Sequence, residues 1–258
     1  MASLLREAKG RGAPNHRTQV QYISIQAVER AERQRLTLER IDPVLKAKGY
    51  KTRKADGMWY YLHQDGITVT WSLGFQKKYS FIDFHGARIT HDEVELLLQR
   101  VADENYPFPW DMHRGTILTS TVSHHSFIRK YHLVAIDTEE EVEEFCDWYL
   151  GYINGEGADF VQHYSYLPNV LKRMDELLSQ GLSWQNGKQG ILDWTLDAFF
   201  RGLIIAKLCN DPESNFESKV RFCEKYLYDG TNDKWLPYYE KLKAEVLPTI
   251  EPKYNIYT

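Results

Sequence analysis

Asp83 and His85 are the best-placed pair for chemistry in this chain. On a strand, a side-chain period of two puts both on one face. His63, His91, His124, His125 and His132 supply further imidazoles. A metal-assisted, nuclease-like hydrolase would gather Asp83 and His85 with His124 or His125 around one ion, because a metal site needs several nitrogen and oxygen ligands converging at bonding distance. The chain contains no H-E-x-x-H, no H-x-H and no Cys/His quartet to enforce that convergence. Surface or hydrogen-bonded core histidines are the better expectation. No metal or other cofactor is therefore expected, and no residue is assigned as catalytic.

A nucleophile would need an activated Ser or Cys beside a base. Gly-x-Ser-x-Gly is absent, as are the glycine loops that cradle phosphates. Cys146, Cys209 and Cys223 have no C-x-x-C spacing, and Cys146 and Cys223 fall in apolar helical patterns. They read as small, reduced core residues in a cytoplasmic protein.

Two groups of residues point to binding instead. Thr68, Thr70 and Ser72 would line the wet face of a sheet, with Lys51, Arg53, Lys77 and Lys78 at its strand ends and turns. Such a surface suits a protein partner with an acidic edge; an ordinary solvated antiparallel face has the same composition. Lys9, Arg11 and Arg17 begin a basic leading segment that continues through Arg30, Arg33, Arg35 and Arg40 and could meet phosphates. Glu29, Glu32 and Glu39 are interleaved with the later arginines at ion-pair spacing, as on a solvated helix face. Nucleic-acid binding therefore ranks below protein binding.

The elements that must position these residues follow from periodicity. Ile67 to Phe75 alternates apolar and polar residues, placing Ile67, Val69, Trp71, Leu73 and Phe75 on a dry face. Strands are predicted at about 50–54, 57–63, 67–75 and 79–85, with a further one at Phe127–Ile136. A helix is predicted from near Ile25 to Lys48, kinked or restarted by Pro43 behind Asp42 and closed by Gly49. Thr90-His-Asp-Glu93 and Thr138-Glu-Glu-Glu141 both have capping-box form. Pro107 and Pro109 end the regular structure that follows the first of these. Further helices are predicted from Ser165 to Gly181, over 189–209, from Asp211-Pro212 onward and over 233–246.

The fold class is α+β: an antiparallel four- to five-stranded sheet packed with helices, then a mostly helical C-terminal half. Residues 1–20 read as a flexible basic arm, 21–136 as the α+β region and 137–258 as the helical region, in one continuous domain. The chain has 258 residues, enough to bury a sizeable core, and a net charge of −4 that marks no nucleic-acid specialist. Charge is uneven. Residues 1–55 hold thirteen Lys/Arg against five Asp/Glu, whereas Asp137–Asp159 holds nine acids and no base. Met1–Gln19 has no apolar core of a signal peptide, and Ile191–Cys209 is broken by Asp193, Asp197, Arg201 and Lys207. A cytoplasmic protein without a membrane span is expected.

Leu45-Lys-Ala-Lys-Gly-Tyr-Lys51, Met58-Trp-Tyr-Tyr61, Val69–Gln76 and Phe81-Ile-Asp-Phe84 together resemble the domain of unknown function 4304 family of bacterial proteins. In that family a helix ends in a Leu-x-x-x-Gly-Phe/Tyr-Lys turn, followed by an aromatic strand and a strand leading to Gln. Ala158–Ser165 is similar to its aromatic stretch before a closing helix. The likeness is made of core and turn residues; the basic arm and everything after Gly181 fall outside it. Several such families resemble immunity proteins, which block bacterial toxins stoichiometrically. The resemblance thus implies a non-enzymatic immunity or defence-associated binding protein and carries over no catalytic residue.

Overall fold

A computed structural model describes residues 28–54, 57–103, 120–124, 126, 130–185, 189–193 and 195–255. Lys9, Arg11, Arg17, His125, Pro107 and Pro109 lie outside the described residues, as does the start of the first predicted helix.

Helix α1 (Arg30–Ala47) runs through Pro43 without restarting. Asp42 is not a cap: its carboxylate takes Lys46 Nζ at 2.6 Å and the Tyr60 hydroxyl at 2.5 Å. Gly49 closes the helix with φ +87°, a left-handed value that favours glycine. Strands β1 (Lys51–Lys54), β2 (Met58–Gln64) and β3 (Ile67–Phe75) form an antiparallel ribbon. Asp65 and Gly66, both at positive φ, make the two-residue turn between β2 and β3. β4 (Ile82–Phe84) and β5 (Arg88–His91) both pair with β3, at its opposite ends, and β6 (Val122–Ser123) pairs with β5. The order is β1-β2-β3-β5-β6 with β4 beside β3.

The helices are α2 (Asp92–Gln99), α3 (Glu139–Asn154), α4 (Glu156–Tyr164), α5 (Leu167–Ser179), α6 (Asp197–Leu208), α7 (Glu213–Leu227) and α8 (Leu236–Lys241). A 3₁₀ turn precedes α8 and a π-helical turn, Leu242–Val246, follows it. The α+β class and the helical C-terminal half therefore stand. No helix among the described residues is long and apolar enough to cross a membrane.

The dry face of the sheet packs against the helices as the alternation requires. Val69, Trp71, Leu73 and Phe75 are buried, as are Met58 and Tyr60 from β2. Phe84 meets Phe145, Trp148 and Tyr149 of α3 at ring separations of 5.2–5.8 Å. Trp71 stands edge-on to Tyr152 at 5.9 Å. Fully burying an aliphatic or aromatic side chain of this kind stabilises by about 1.5–3 kcal/mol, so this aromatic layer fixes the seating of α3 on the sheet.

Further sequence expectations change. Residues 130–136 form turns rather than a strand, and Leu133 takes a left-handed φ of +57°. Thr90 is no cap: it lies in β5 opposite Thr68, and the helix begins at Asp92 with no side-chain cap bond from His91. The helix expected over 189–209 starts only at Asp197. Before it, Leu192 bridges to Val122 and Asp193 N–H donates to Thr121 O at 3.3 Å, so this stretch extends the sheet instead.

Candidate functional site

The register places the expected binding residues on one outer face. Thr70 lies opposite Tyr61 and Arg88, Ser72 opposite Trp59, and Lys51 and Arg53 opposite Tyr61 and Trp59. This face is wet only toward β1. Thr68 and Thr70 are half-buried, and Ser72 is 5% exposed with a buried hydroxyl that has no hydrogen-bond partner among the described residues. The open part is the β1 edge, where Lys51, Thr52 and Lys54 are exposed and Arg53 is half-buried. Behind it, the Arg88 guanidinium lies 5.7 Å from the centroid of the Trp59 ring. Lys77 and Lys78 are exposed in the turn between β3 and β4, at the end of the sheet away from Lys51.

Among the described residues, the histidines do not gather with Asp83 into a group that could hold a metal. Asp83 sits opposite Gly74 on the outer face. β4 ends at Phe84, so the strand alternation that would align Asp83 with His85 stops one residue short. His124 packs on the other side of the sheet, its ring stacked 4.3 Å from Phe160 of α4. Its Nδ1 is 2.9 Å from the Tyr152 hydroxyl and its Nε2 3.4 Å from Glu156 Oε1. Ala87 N–H donates to that same hydroxyl at 2.9 Å. One hydroxyl, that of Tyr152, thus links the Ala87 backbone ahead of β5 to the His124 ring. Among the described residues, no three His, Cys, Asp or Glu side chains are placed to hold a metal.

His124 does line a small cleft of about 270 Å³, together with Ser123, Phe160, Tyr164, Arg173 and Glu176. Arg173 is already bonded to Glu176 at 2.9 Å. Ser123 leads inward through Ser120, which donates to Asp193 at 2.7 Å. Sequence reading missed this arrangement, because its parts come from β6, α4, α5 and the 189–191 segment and share no spacing.

Two buried ionic clusters hold the interior. Arg201 of α6 grips Glu95 of α2 through Nε at 2.8 Å and Nη2 at 3.1 Å, and lies 2.9 Å from Asp197. Burial opposes the guanidinium charge, yet Asp197 and Glu95 keep its pKa above the ordinary value. Lys219 of α7, also buried, bonds Asp175 of α5 and, at 2.7 Å, Asp211. Asp211 thus anchors a lysine instead of capping α7. The Arg201 pairs and Lys219–Asp211 are shut away from solvent, whereas Asp175 keeps part of its side chain exposed, and all have the character of structural ties.

All three cysteines are buried, and burial disfavours their thiolate form. Burial pushes the Cys146 thiol up to about 11 and Cys209 up to about 12, and drives Cys223 well above its usual range.

Compared with models of protein families, with curated proteins and with solved structures, the chain matches none.

Proposed function

We propose that this chain is a protein-binding factor that takes an acidic partner at the cationic edge of its sheet. One observation carries the reading: β1 ends the strand order among the described residues, and three of its four residues are cationic, Lys51 and Lys54 exposed and Arg53 half-buried. An edge strand offers unpaired backbone donors and acceptors, and lysines there keep out neutral or basic strands. An acidic segment meets both the charge and the backbone groups. The Trp59–Arg88 pair behind the edge adds an aromatic and an arginine, the residue types that anchor interfaces. The particular form implied by the resemblance is a cytoplasmic, non-enzymatic immunity or defence-associated factor.

The test is capture from cells of the native host after nuclease treatment. The wild-type chain is compared with Lys51→Glu/Lys54→Glu and with Trp59→Ala, and the captured protein is then purified and titrated directly. A partner lost by both variants, and more weakly held as salt rises, is the expected result. Equal capture by the charge-reversed chain would refute the reading. So would binding that disappears with nuclease, or turnover on a hydrolase panel that single histidine changes abolish.

A further inference from the structure

Segment 250–255 lies against the end of α6 without helix or strand of its own. The Lys253 and Tyr254 N–H groups both donate to Leu208 O, at 2.8 and 3.0 Å, and Asn210 Nδ2 donates to Asn255 Oδ1 at 3.0 Å. Two of its side chains reach the same carboxylate on α2. Lys253 Nζ donates to Glu93 Oε2 at 2.9 Å, and the Tyr254 hydroxyl donates to Glu93 Oε1 at 2.8 Å. Burial, and then Glu93, hold the Tyr254 phenol above its ordinary pKa, so it remains a donor. The other end is fastened separately: Arg100, seven residues after Glu93, donates to Thr249 Oγ1 at 3.0 Å.

The segment itself buries little. Glu251, Pro252, Lys253 and Asn255 are exposed, Ile250 and Tyr254 are half-buried, and Pro252 has no N–H to give. The Tyr254 ring stands edge-on to the exposed Tyr166 at 5.8 Å. A stretch with little buried apolar surface and few backbone bonds opens at a lower free energy than the core beneath it. That core is closed: Leu208 and Cys209 are buried. Glu93 and Tyr254 both stand close enough to Cys209 to interact with it electrostatically. Ile250 and Pro252 also wall a cleft of about 510 Å³, whose other sides include Lys207 and Asn210 at the end of α6 and Phe216 and Val220 of α7.

We infer that segment 250–255 is a strap that opens as a local unit beyond its Thr249 anchor, with the Glu93 carboxylate as its clasp, and that opening uncovers Cys209 and removes one wall of the cleft. Two donors converge on one side chain, so loss of Glu93 releases both together. A segment fastened by independent bonds would loosen one bond at a time. Opening leaves the buried Glu95–Arg201 tie in place, which separates it from global unfolding. The closed strap shields the thiol from reagents, and the open one makes the cleft wider. The β1 edge and its proposed partner play no part in this movement.

Two measurements on the full chain test it, in urea kept below the unfolding transition. Amide exchange of Lys253 and Tyr254 is followed by NMR, and iodoacetamide labelling of the three cysteines is read by mass spectrometry. The strap amides and Cys209 are expected to react through one local opening that is almost independent of urea. Cys223, which packs beside Phe199 in the core, is expected to label only through global unfolding, with a steep urea dependence. Glu93→Ala is expected to raise the Cys209 rate, taken relative to Cys223 in the same sample, roughly tenfold, the loss of hydrogen bonds to a charged group. Tyr254→Phe is expected to raise the same ratio in the wild-type chain and to add little in Glu93→Ala. The ratio separates strap opening from lower overall stability, which speeds both thiols alike. Strap amides or a Cys209 thiol that react only in step with Cys223 overturn the inference. So does a ratio unmoved by Glu93→Ala, or a Tyr254→Phe effect that is undiminished in that variant.

Discussion

Arg201 shows how few side chains decide the stability of the interior. Its guanidinium is closed off from water, and two buried carboxylates, Glu95 and Asp197, converge on it. Thr121 donates to Glu95 at 2.7 Å and Thr195 donates to Asp197, so the cluster is tied to neighbouring chain on both sides. Replacing Arg201 with Met keeps most of the volume and strands both carboxylates in an apolar interior. The expected cost is about 3–5 kcal/mol, read as a fall in the urea midpoint at unchanged slope. A cost below about 1 kcal/mol would mean that water reaches the cluster. His91 gives the pH counterpart. Burial holds its imidazole below the usual 6.5, and its Nε2 lies 3.0 Å from Tyr164 O, which only accepts, so the neutral ring carries its proton there. A lowered histidine pKa means that the unfolded chain binds the proton first. Its contribution is complete above pH 6.5 and is lost as the pH falls toward the folded value. His91→Gln is expected to flatten the acid side of the stability curve in that window, measured by thermal melts at stepped pH.

Among the elements, two helices show where propensity governs and where packing overrides it. At α3 the capping box read from Thr138 and Glu141 is formed: Glu141 N–H donates to Thr138 Oγ1 at 3.1 Å, and Glu141 Oε2 accepts from Thr138 N at 3.0 Å. Thr138→Ala is expected to cost about 1 kcal/mol in chemical denaturation. In α6, propensity alone would favour Gly202→Ala by roughly 1 kcal/mol. A Cβ there would stand 2.7 Å from the Trp184 ring, which is buried and fixed by its N–H donating to Ala198 O at 2.9 Å. Overpacking of this kind costs about 1–3 kcal/mol, so the variant is expected to be destabilised; a raised melting temperature would show that the indole can shift. The same contrast explains what the sequence reveals. Local signals such as the β3 alternation, Gly49 and the Thr138 box depend on neighbours in the chain and are legible. β5 is not, because Arg88–His91 becomes a strand only by pairing with β3, twenty or so residues earlier. The stretch before Asp197 is likewise diverted by a bridge to Val122, seventy residues away.

For the molecule as a whole, the cationic residues of the site were legible as residue types, but their accessibility was not. Ser72 reads as solvated by alternation and is buried, while Leu133, an apolar residue in a stretch expected to be a strand, is exposed. Which face stays open depends on segments distant in sequence. The same long-range ties argue for one cooperative unit. The C-terminal segment returns to α2, with Lys253 and Tyr254 bonding Glu93 at 2.9 and 2.8 Å. Arg100 reaches Thr249 at 3.0 Å, and Lys241 donates to Val101 O at 3.3 Å. On the other side of the sheet region, Arg33 of α1 donates to Ile136 O at 2.9 Å, and Ser123 N–H donates to Ile191 O at 3.0 Å. Each bond is worth only about 1 kcal/mol, but they join the sheet to the helical half at both ends of the chain, around the buried Glu95–Arg201 tie. Unfolding followed by tryptophan fluorescence and by far-UV circular dichroism is therefore expected to give superimposable transitions. Trp59 and Trp71 report on the sheet, and Trp184 and Trp235 on the helical half. The Arg201→Met chain should keep that coincidence at a lower midpoint, because the surviving ties still span both halves. Two separated transitions in the wild type would mean that the sheet and the helices are independent units joined only at their surfaces.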